Sequence, residues 1–412
     1  MGYLENILPK YFAKLGSDVH VVSMDLLPYH WLPDCTETYG RFSGGLRPAT
    51  IETVNGYTLH VLSHVRRTGR MRMVGLYSKL RQLKPDIVQT TAILGWTALD
   101  AAAAKLVFKY RLFTGSHYHA SVFPLAKSQA KPWDPQLLHC RLTRTAPGAL
   151  VSVVTEKCYA ITQDCADVAV RFFGLPAKKV EICPLGVDTE LFQPLRSRND
   201  YESRRNVRQR LGFEESDVVC VYSGRFTEDK NPLLLAKAIG RLRLQRERYR
   251  GLFIGDGVQA SAIQQIVGCT VHPFVRVQDL KSLFHAGDIA VWPTQETTSM
   301  LDATGCGLPI IVNDSIVANE RVEGNGLKYR LNDLDDLVRA LLELKDQEKR
   351  RQLGSLGAAK VAAEFSWDAI ARRRLRDYEA SVHPKRKRTE EVTCDHLGQN
   401  SSIGSLVNRG SN

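Results

Sequence analysis

The chain has 412 residues, 43% of them apolar and 24% charged, and 56 Lys and Arg against 44 Asp and Glu give a net charge of +12. That is a globular composition, long enough for two domains of roughly 150–200 residues each. No run approaches the roughly 18–20 apolar residues of a membrane helix, and MGYLENILPKYF lacks the basic start, apolar stretch and cleavage site of a secretory signal.

Nine cysteines, scattered from Cys35 to Cys394 without a CxxC pair, fit reduced, mostly buried thiols in a cytoplasm, with neither a disulfide framework nor zinc. The basic balance admits nucleic acid, an anionic membrane surface or phosphorylated substrates as partners. Clusters at Arg66–Arg72, Arg204–Arg210 and Lys385–Arg388 come without the aromatic pattern or recognition helix of a nucleic-acid binder, so no nucleic acid is expected.

From the amino end, Leu4–Leu15 reads as a helix. DVHVVS, YTLHVL, DIVQTT, RLFTGS, CYAIT and KVEICPLG read as strands, with helices at Leu76–Leu83 and Ala98–Phe108 between them. A doubly wound domain ordinarily opens on a buried strand, whereas Gly2-Tyr3 lead straight into a helix. The first strand of the domain and its loop are therefore expected to be missing. After Pro194, LRSRNDYESRRNVRQR is charged and aperiodic and reads as a connector, 195–210, ending at most in a short helix.

The second half repeats the alternation: VVCVYSG, helix Pro232–Gln245, GLFIGDG, helix Gln259–Val267, TVHPFV, helix Asp279–Ala286, IAVWPT, helix Ser299–Cys306 and IIVND. Strand then helix, repeated, predicts parallel sheets covered on both faces. The expected fold class is α/β, with two doubly wound Rossmann-like domains, 1–194 and 211–364. A helix at 365–382 is expected to pack back on the first domain, and the polar tail 383–412 to be disordered. KRKR within that tail reads as a solvated run or a nuclear-localisation patch.

Three stretches carry chemistry. In SGRFTEDKNPLL (223–234), Gly224, Arg225 and Lys230 follow an apolar strand, where open α/β sheets bind ligands. Arg offers a fork of donors and Lys a mobile point charge, a pair suited to a diphosphate; the alternative is a surface pair beside Glu228 and Asp229. GDG (Gly255–Gly257) is either a close approach to a ligand or an ordinary strand-to-helix turn. In PTQETTSMLDATGCGLPIIVND, Thr298 and Ser299 open a helix whose start forms an anion site, and Glu296 and Asp302 offer acceptors for sugar or ribose hydroxyls. Structurally, Thr298 or Ser299 serves equally as an N-cap and Asp302 as a solvated helix residue.

SGRFTEDKNPLLL, GLFIGDG, ETTSMLDATGCGLPI and FSWDAIARR together resemble the nucleotide-sugar domain of retaining GT-B glycosyltransferases, specifically glycosyltransferase family 4. GYLENILPKYFAKLGSDVHVVS, LKPDIVQTT and CPLGVDTELFQP resemble that family's acceptor domain and exit strand, so the likeness runs from Gly2 to Val382. It implies transfer of a hexose, with retention, from a UDP- or GDP-sugar to a glycan or lipid-linked acceptor in surface polysaccharide or glycolipid synthesis. It implies that Arg225 and Lys230 hold the leaving diphosphate, beside Gly224, Gly255 and Gly257. Glu296 would contact the sugar, Thr298 and Ser299 the phosphates and Asp302 the ribose, and Gly2 would be the surviving member of a glycine loop. His117, in TGSHYHASVF, is placed near the donor sugar, with His119 as rival and a loop or core role as the alternative. No cofactor and no metal are implied.

The protein is expected in the cytoplasm, at the inner face of the cell membrane if the basic stretch His64–Lys84 docks there; a solvated helix face is the other reading of that stretch. Two spacings depart from the family: five residues rather than seven separate Glu296 from the second carboxylate, here Asp302, and HPFVRVQDL is compressed where a Phe-x-Gly loop is usual. They leave two alternatives open, a truncated or degenerate relative that binds nucleotide or a partner without catalysis, and a GT-B nucleotide-sugar epimerase.

Overall fold

The structure is a computed structural model that describes residues 3–26, 49–120, 123–127, 131, 133–295, 297–316 and 319–383. Gly2, Glu296 and the tail from residue 384 lie outside the described residues, as do Cys35 and Cys394.

In the first half, β1 (His20–Met24), β2 (Ile51–Val54) and β3 (Tyr57–Leu62) form a sheet in the order β1-β3-β2. A hairpin of β4 (His64–Arg67) and β5 (Arg70–Met73) follows. Then β6 (Ile87–Gln89), β7 (Arg111–Ser116), β8 (Thr155–Ala160) and β9 (Val180–Ile182) pair in chain order, all parallel. β1 and β6 are each an end strand of their sheet, and both are half-buried, whereas β7 and β8 bury most of their residues.

The second half is one six-stranded parallel sheet made of β10 (Val218–Ser223), β11 (Tyr249–Ile254), β12 (Cys269–His272), β13 (Ile289–Trp292), β14 (Ile310–Asn313) and β15 (Gly326–Tyr329). Its order is β12-β11-β10-β13-β14-β15. The β-branched and aromatic run VVCVYS makes β10 a central strand buried along its whole length. The chain winds outward from β10 on one side and then from β13 on the other, which leaves a crevice at their carboxyl ends.

The stretch read as a connector is a packed element. Ser197 and Asp200 form a reciprocal capping box that starts helix Arg198–Arg210. Arg208, 1% exposed, donates to Glu214 O at 2.9 Å, Asp217 O at 2.6 Å and Asp288 Oδ2 at 3.2 Å. Arg204 bonds Asp288 Oδ1 at 2.7 Å, and Asp288 also accepts Val219 N–H at 2.8 Å. The charge density that suggested a loose linker is what fastens this helix to the second half.

The basic stretch His64–Lys84 is likewise not one helix face. Arg66, Arg67 and Arg70 are exposed on the β4–β5 hairpin, Arg72 is paired with Asp100 at 2.6 Å over the ring of Trp96, and the helix begins at Leu76.

The chain returns from the second half at Phe365–Trp367. There Val187 N–H donates to Phe365 O at 2.7 Å and Trp367 N–H to Val187 O at 3.0 Å. Helix Trp367–Val382 then lies on the first half, with Tyr378 against Phe113 and Phe12 at ring separations of 4.6 and 5.7 Å. Six of the seven described cysteines are buried.

Replacing Arg208 with Ala leaves the Asp288 carboxylate and the carbonyls of Glu214, Asp217 and Ala286 short of a buried cation. A loss of about 3–5 kcal/mol is expected in a urea titration; a loss below about 1 kcal/mol would mean that the helix is only loosely attached.

Candidate active site

The crevice between β10 and β13 is built backbone on backbone. Gly224 directly follows β10 and Gly255 directly follows β11, and Gly224 N–H bonds Ile254 O at 3.0 Å. A Cβ on Gly255 would stand 1.9 Å from Gly224 O, and one on Gly257 would meet the Phe226 backbone at 2.7–3.0 Å. Both glycines also hold positive φ, at +153° and +145°. The glycine requirement of GDG therefore comes from the SGRF loop pressed against it, and both motifs stand at the same sheet mouth.

On that loop Arg225 is exposed and Lys230 half-buried. Burial pushes Asp229 up, but the hydrogen bond from Thr227 and the charges of Lys230 and Arg225 outweigh it and hold the carboxyl below its usual range. Both cations thus act on the same carboxylate. Across the crevice, Ser299 Oγ lies 3.3 Å from Ser223 O and 2.7 Å from Thr297 Oγ1. Thr294 Oγ1 donates to Asp229 O at 2.5 Å, and Trp292 Nε1 to Ser223 O at 3.1 Å. These bonds fix the start of helix Ser299–Gly305 beside the Arg225 loop.

Thr298 precedes that helix without making a side-chain capping bond, which sets aside its N-cap reading. Asp302 is 1% exposed, so it is no solvated helix residue. Glu296 and Gly2 lie outside the described residues. The structure therefore brings Gly224, Arg225, Lys230, Gly255, Gly257, Thr298 and Ser299 to one mouth and buries Asp302 in the helix behind it.

His117 and His119 follow β7 in the first half. Burial, the Arg374 guanidinium and the neighbouring His119 push His117 down to about 4, so the ring is neutral at pH 7. His119 goes the other way. Hydrogen bonds to Asp164, at 3.2 Å, and to Cys165 raise it to about 10. Asp164 accepts Ala120 N–H at 2.9 Å and the Thr162 hydroxyl at 2.5 Å as well; burial raises its carboxyl, but these bonds hold it well below the usual range. His119, Asp164 and Cys165 bring three metal-ligand atom types within 4.8 Å of one another, although the carboxylate is already engaged by three donors.

Arg374 is a residue that the motifs did not single out. It is 1% exposed, its guanidinium sits 4.4 Å over the Tyr159 ring, and Nε donates to Cys183 Sγ at 3.4 Å. Its only sequence signal is its place about two turns after the start of the returning helix.

Two family models match consecutive parts of the chain, Glycosyltransferase Family 4 over residues 8–191 and Glycosyl transferases group 1 over residues 217–347. Solved structures with the same fold include a sucrose-phosphate synthase from Thermosynechococcus elongatus, at TM-score 0.61 and 17% identity over 91% of each chain. Another is Anabaena HepE in complex with UDP and glucose, at TM-score 0.59 and 17% identity, covering 79% of this chain and 87% of that one. The architecture is that of a GT-B protein, two α/β halves joined by paired crossings. With both family models matched, the chain is a glycosyltransferase family 4-like member of that class.

Among curated relatives, a GDP-mannose-dependent monoacylated alpha-(1-6)-phosphatidylinositol monomannoside mannosyltransferase of Corynebacterium glutamicum is 30% identical over 210 residues, 47% of this chain and 54% of that protein. A UDP-Gal:alpha-D-GlcNAc-diphosphoundecaprenol alpha-1,3-galactosyltransferase of Escherichia coli is 24% identical over 296 residues, 67% of this chain and 70% of that protein. The chain thus spans about half the length of the first of these and about two thirds of the second. Among the described residues no helix is long and apolar enough to cross a membrane.

Asp164, held low, adds stability above about pH 4 that is lost as pH falls. His119, held up at about 10, adds stability that is complete below about pH 6.5 and is lost as pH rises toward 10. The pair is thus fully stabilising between about pH 4 and 6.5. Asp164→Asn should lower the His119 titration midpoint by roughly 1–3 pH units in histidine NMR; an unmoved midpoint would show that the two do not interact.

Proposed function

We propose that the protein transfers a hexose from a UDP- or GDP-sugar, with retention, to a glycan or lipid-linked acceptor in surface polysaccharide or glycolipid synthesis. The observation that carries this reading is the placement of Arg225 and Lys230 on one loop at the β10–β13 crevice, with the Ser299 hydroxyl bonded back to Ser223 across it. The relatives support it at the level of sugar transfer, and two of them name GDP-mannose and UDP-galactose donors and lipid-linked acceptors.

In this reading the bond between the anomeric carbon and the diphosphate oxygen breaks, and its electron pair stays on the diphosphate. Arg225 and Lys230 neutralise that charge, the Thr298 hydroxyl donates to a phosphate oxygen, and the Ser299 hydroxyl does so by turning its one proton from Ser223 O to the phosphate. Preorganised charge of this kind is usually the largest catalytic term. The acceptor oxygen attacks from the face the phosphate leaves, and its proton passes to a leaving phosphate oxygen. No protein nucleophile, metal or other cofactor takes part.

Neutral His117 offers a hydrogen bond to the sugar without adding charge beside the cationic anomeric carbon. Glu296 takes the sugar and Asp302, buried until the helix start moves aside, the ribose side, while Gly2, Gly224, Gly255 and Gly257 let the chain approach the donor closely. The protein works in the cytoplasm, in peripheral contact with the inner face of the cell membrane.

Thermal-shift binding of UDP, GDP and ADP tests the donor site. One nucleotide should stabilise the wild type, and Arg225→Ala/Lys230→Ala should abolish that shift. No shift with any nucleotide, in a protein that unfolds cooperatively, would favour the degenerate relative. A nucleotide shift accompanied by interconversion of free UDP-sugars would favour the epimerase.

A further inference from the structure

One helix of the first half carries apolar side chains on its outer face as well as its inner one. Residues 135–154 run as a continuous helix, with α geometry over Pro135–Cys140, a π turn over Arg141–Thr145 and α geometry again over Ala146–Val154. The π turn sits just ahead of Pro147, which has no N–H to give, and Ala146 N–H reaches back to Arg141 O.

The inner face is ordinary core. Cys140 and Val151 are buried, and Gly148 runs so close to Phe173 O that a Cβ would stand 2.0 Å from it. The outer face carries Leu138, Leu142, Ala146, Leu150 and Val153, each about one helical turn from the last and so in a single row. The four larger side chains are 54, 67, 68 and 74% exposed. Leu106 and Val107, exposed at the end of helix Trp96–Lys105, extend the row, because Lys105 Nζ reaches Val154 O at 2.5 Å. Isolated exposed apolar residues need no explanation; a contiguous row does.

Charge identifies what covers it. Residues 135–155 contain no Asp or Glu. Arg141, Lys109 and Lys178 are exposed around the row, and Arg144 lies 4.8 Å over the Phe123 ring. Glu156, at the far end, is already bridged by Lys105 and Arg111 at 3.1 and 3.2 Å. A second copy of a chain of net charge +12 would bring like charge to this face. An anionic bilayer meets both the apolar row and its basic border.

We infer that this row is the membrane-contacting face of the protein, lying in the plane of an anionic bilayer with Leu138, Leu142, Leu150 and Val153 at the acyl boundary. The inference rests on the peripheral-membrane reading above and moves the main contact from the β4–β5 hairpin to this helix. Arg66, Arg67 and Arg70 on the hairpin supply longer-range attraction only. The row begins beside the cleft of about 360 Å³ lined by Phe123, Pro135 and His139, shortly after the loop that carries His117.

Flotation of the full chain with vesicles of equal parts phosphatidylglycerol and phosphatidylcholine, at low and high salt, tests this. Wild type should float, with part of the binding surviving high salt, since the apolar contribution is not screened. Leu142→Glu/Leu150→Glu should weaken binding at least ~10-fold at both salts. Arg66→Ser/Arg67→Ser/Arg70→Ser should weaken it at low salt only.

All these positions are exposed, so an unchanged melting temperature is expected; Leu138→Ser/Val153→Ser serves if the first pair fails to fold. Flotation of the Leu142/Leu150 variant like wild type, or no flotation of the wild type, would overturn the inference. So would a wild-type dimer in sedimentation that the variant abolishes, because a second copy would then cover the row. Nucleotide-induced stabilisation measured on the same proteins separates the two readings. If it persists while flotation fails, only the membrane face falls; if it is absent while flotation holds, the donor site falls instead.

Discussion

The rest of the molecule depends on one small bridge, the pair of hydrogen bonds through which Val187 holds Phe365 and Trp367. The chain passes from the first half to the second at this point and comes back at the same point, so two distant crossings are bonded to each other. Each bond is worth only about 0.5–1.5 kcal/mol net, but leaving buried backbone groups unmade costs more. The surroundings leave no slack. Trp367 is fully buried, and a Cβ on Gly186 would stand 2.6 Å from its ring. Helix Tyr3–Lys14 is tied to the same crossing, through Tyr11 and Lys10 to Asp188, each at 2.9 Å. Three segments far apart in sequence thus lock at one narrow joint, and the strand-end loops of the two halves are left to frame a cleft.

The two halves are stabilised differently. In the second, six parallel strands pair without interruption, and the mouth of the sheet is set by main chain, Gly224 against Gly255 and Phe226 against Gly257. A site built this way leaves the Arg225 and Lys230 side chains to respond to what binds. In the first half the sheets are separate and the end strands β1 and β6 half-buried, and helix Trp367–Val382 completes a second hydrophobic cluster with Leu8, Tyr11, Phe113 and Tyr159. Burial keeps His117 neutral, and Arg374 on that helix, buried without a carboxylate partner among the described salt bridges, adds its charge to the same effect. Tertiary packing thus sets the chemistry of a loop that its own sequence leaves ambiguous.

That contrast explains what the sequence made legible. The strands of the second half stand out because apolar β-branched runs there end at Gly or Pro, as VVCVYSG and IAVWPT do, and the helix starting at Ser299 follows from the same punctuation. Helix Leu76–Leu83 was readable from its two-sided pattern. The β4–β5 hairpin was not, because its arms are only four residues each and arginine-rich, so the alternation of RMRM is too short to stand out. Helix Arg198–Arg210 was obscured because its anchors are charged, and nothing local signals that Arg208 is to be buried on Asp288. The 135–154 helix was missed for the opposite reason: with apolar residues on both faces and a Pro inside, it shows no clean period. Of the candidate site, the grouping of Arg225, Lys230, Thr298 and Ser299 was visible in spacing. The close packing behind GDG and the opposite protonation of His117 and His119 depend on contacts between distant segments.

The central claim is that the β10–β13 crevice is a diphosphate site. Its most direct test is a crystal structure of the protein with the stabilising nucleoside diphosphate bound. The account predicts both phosphates between Arg225 and Lys230, with an oxygen within hydrogen-bond distance of Ser299 or Thr298. A diphosphate bound elsewhere on the molecule, with these four side chains facing solvent, would contradict it.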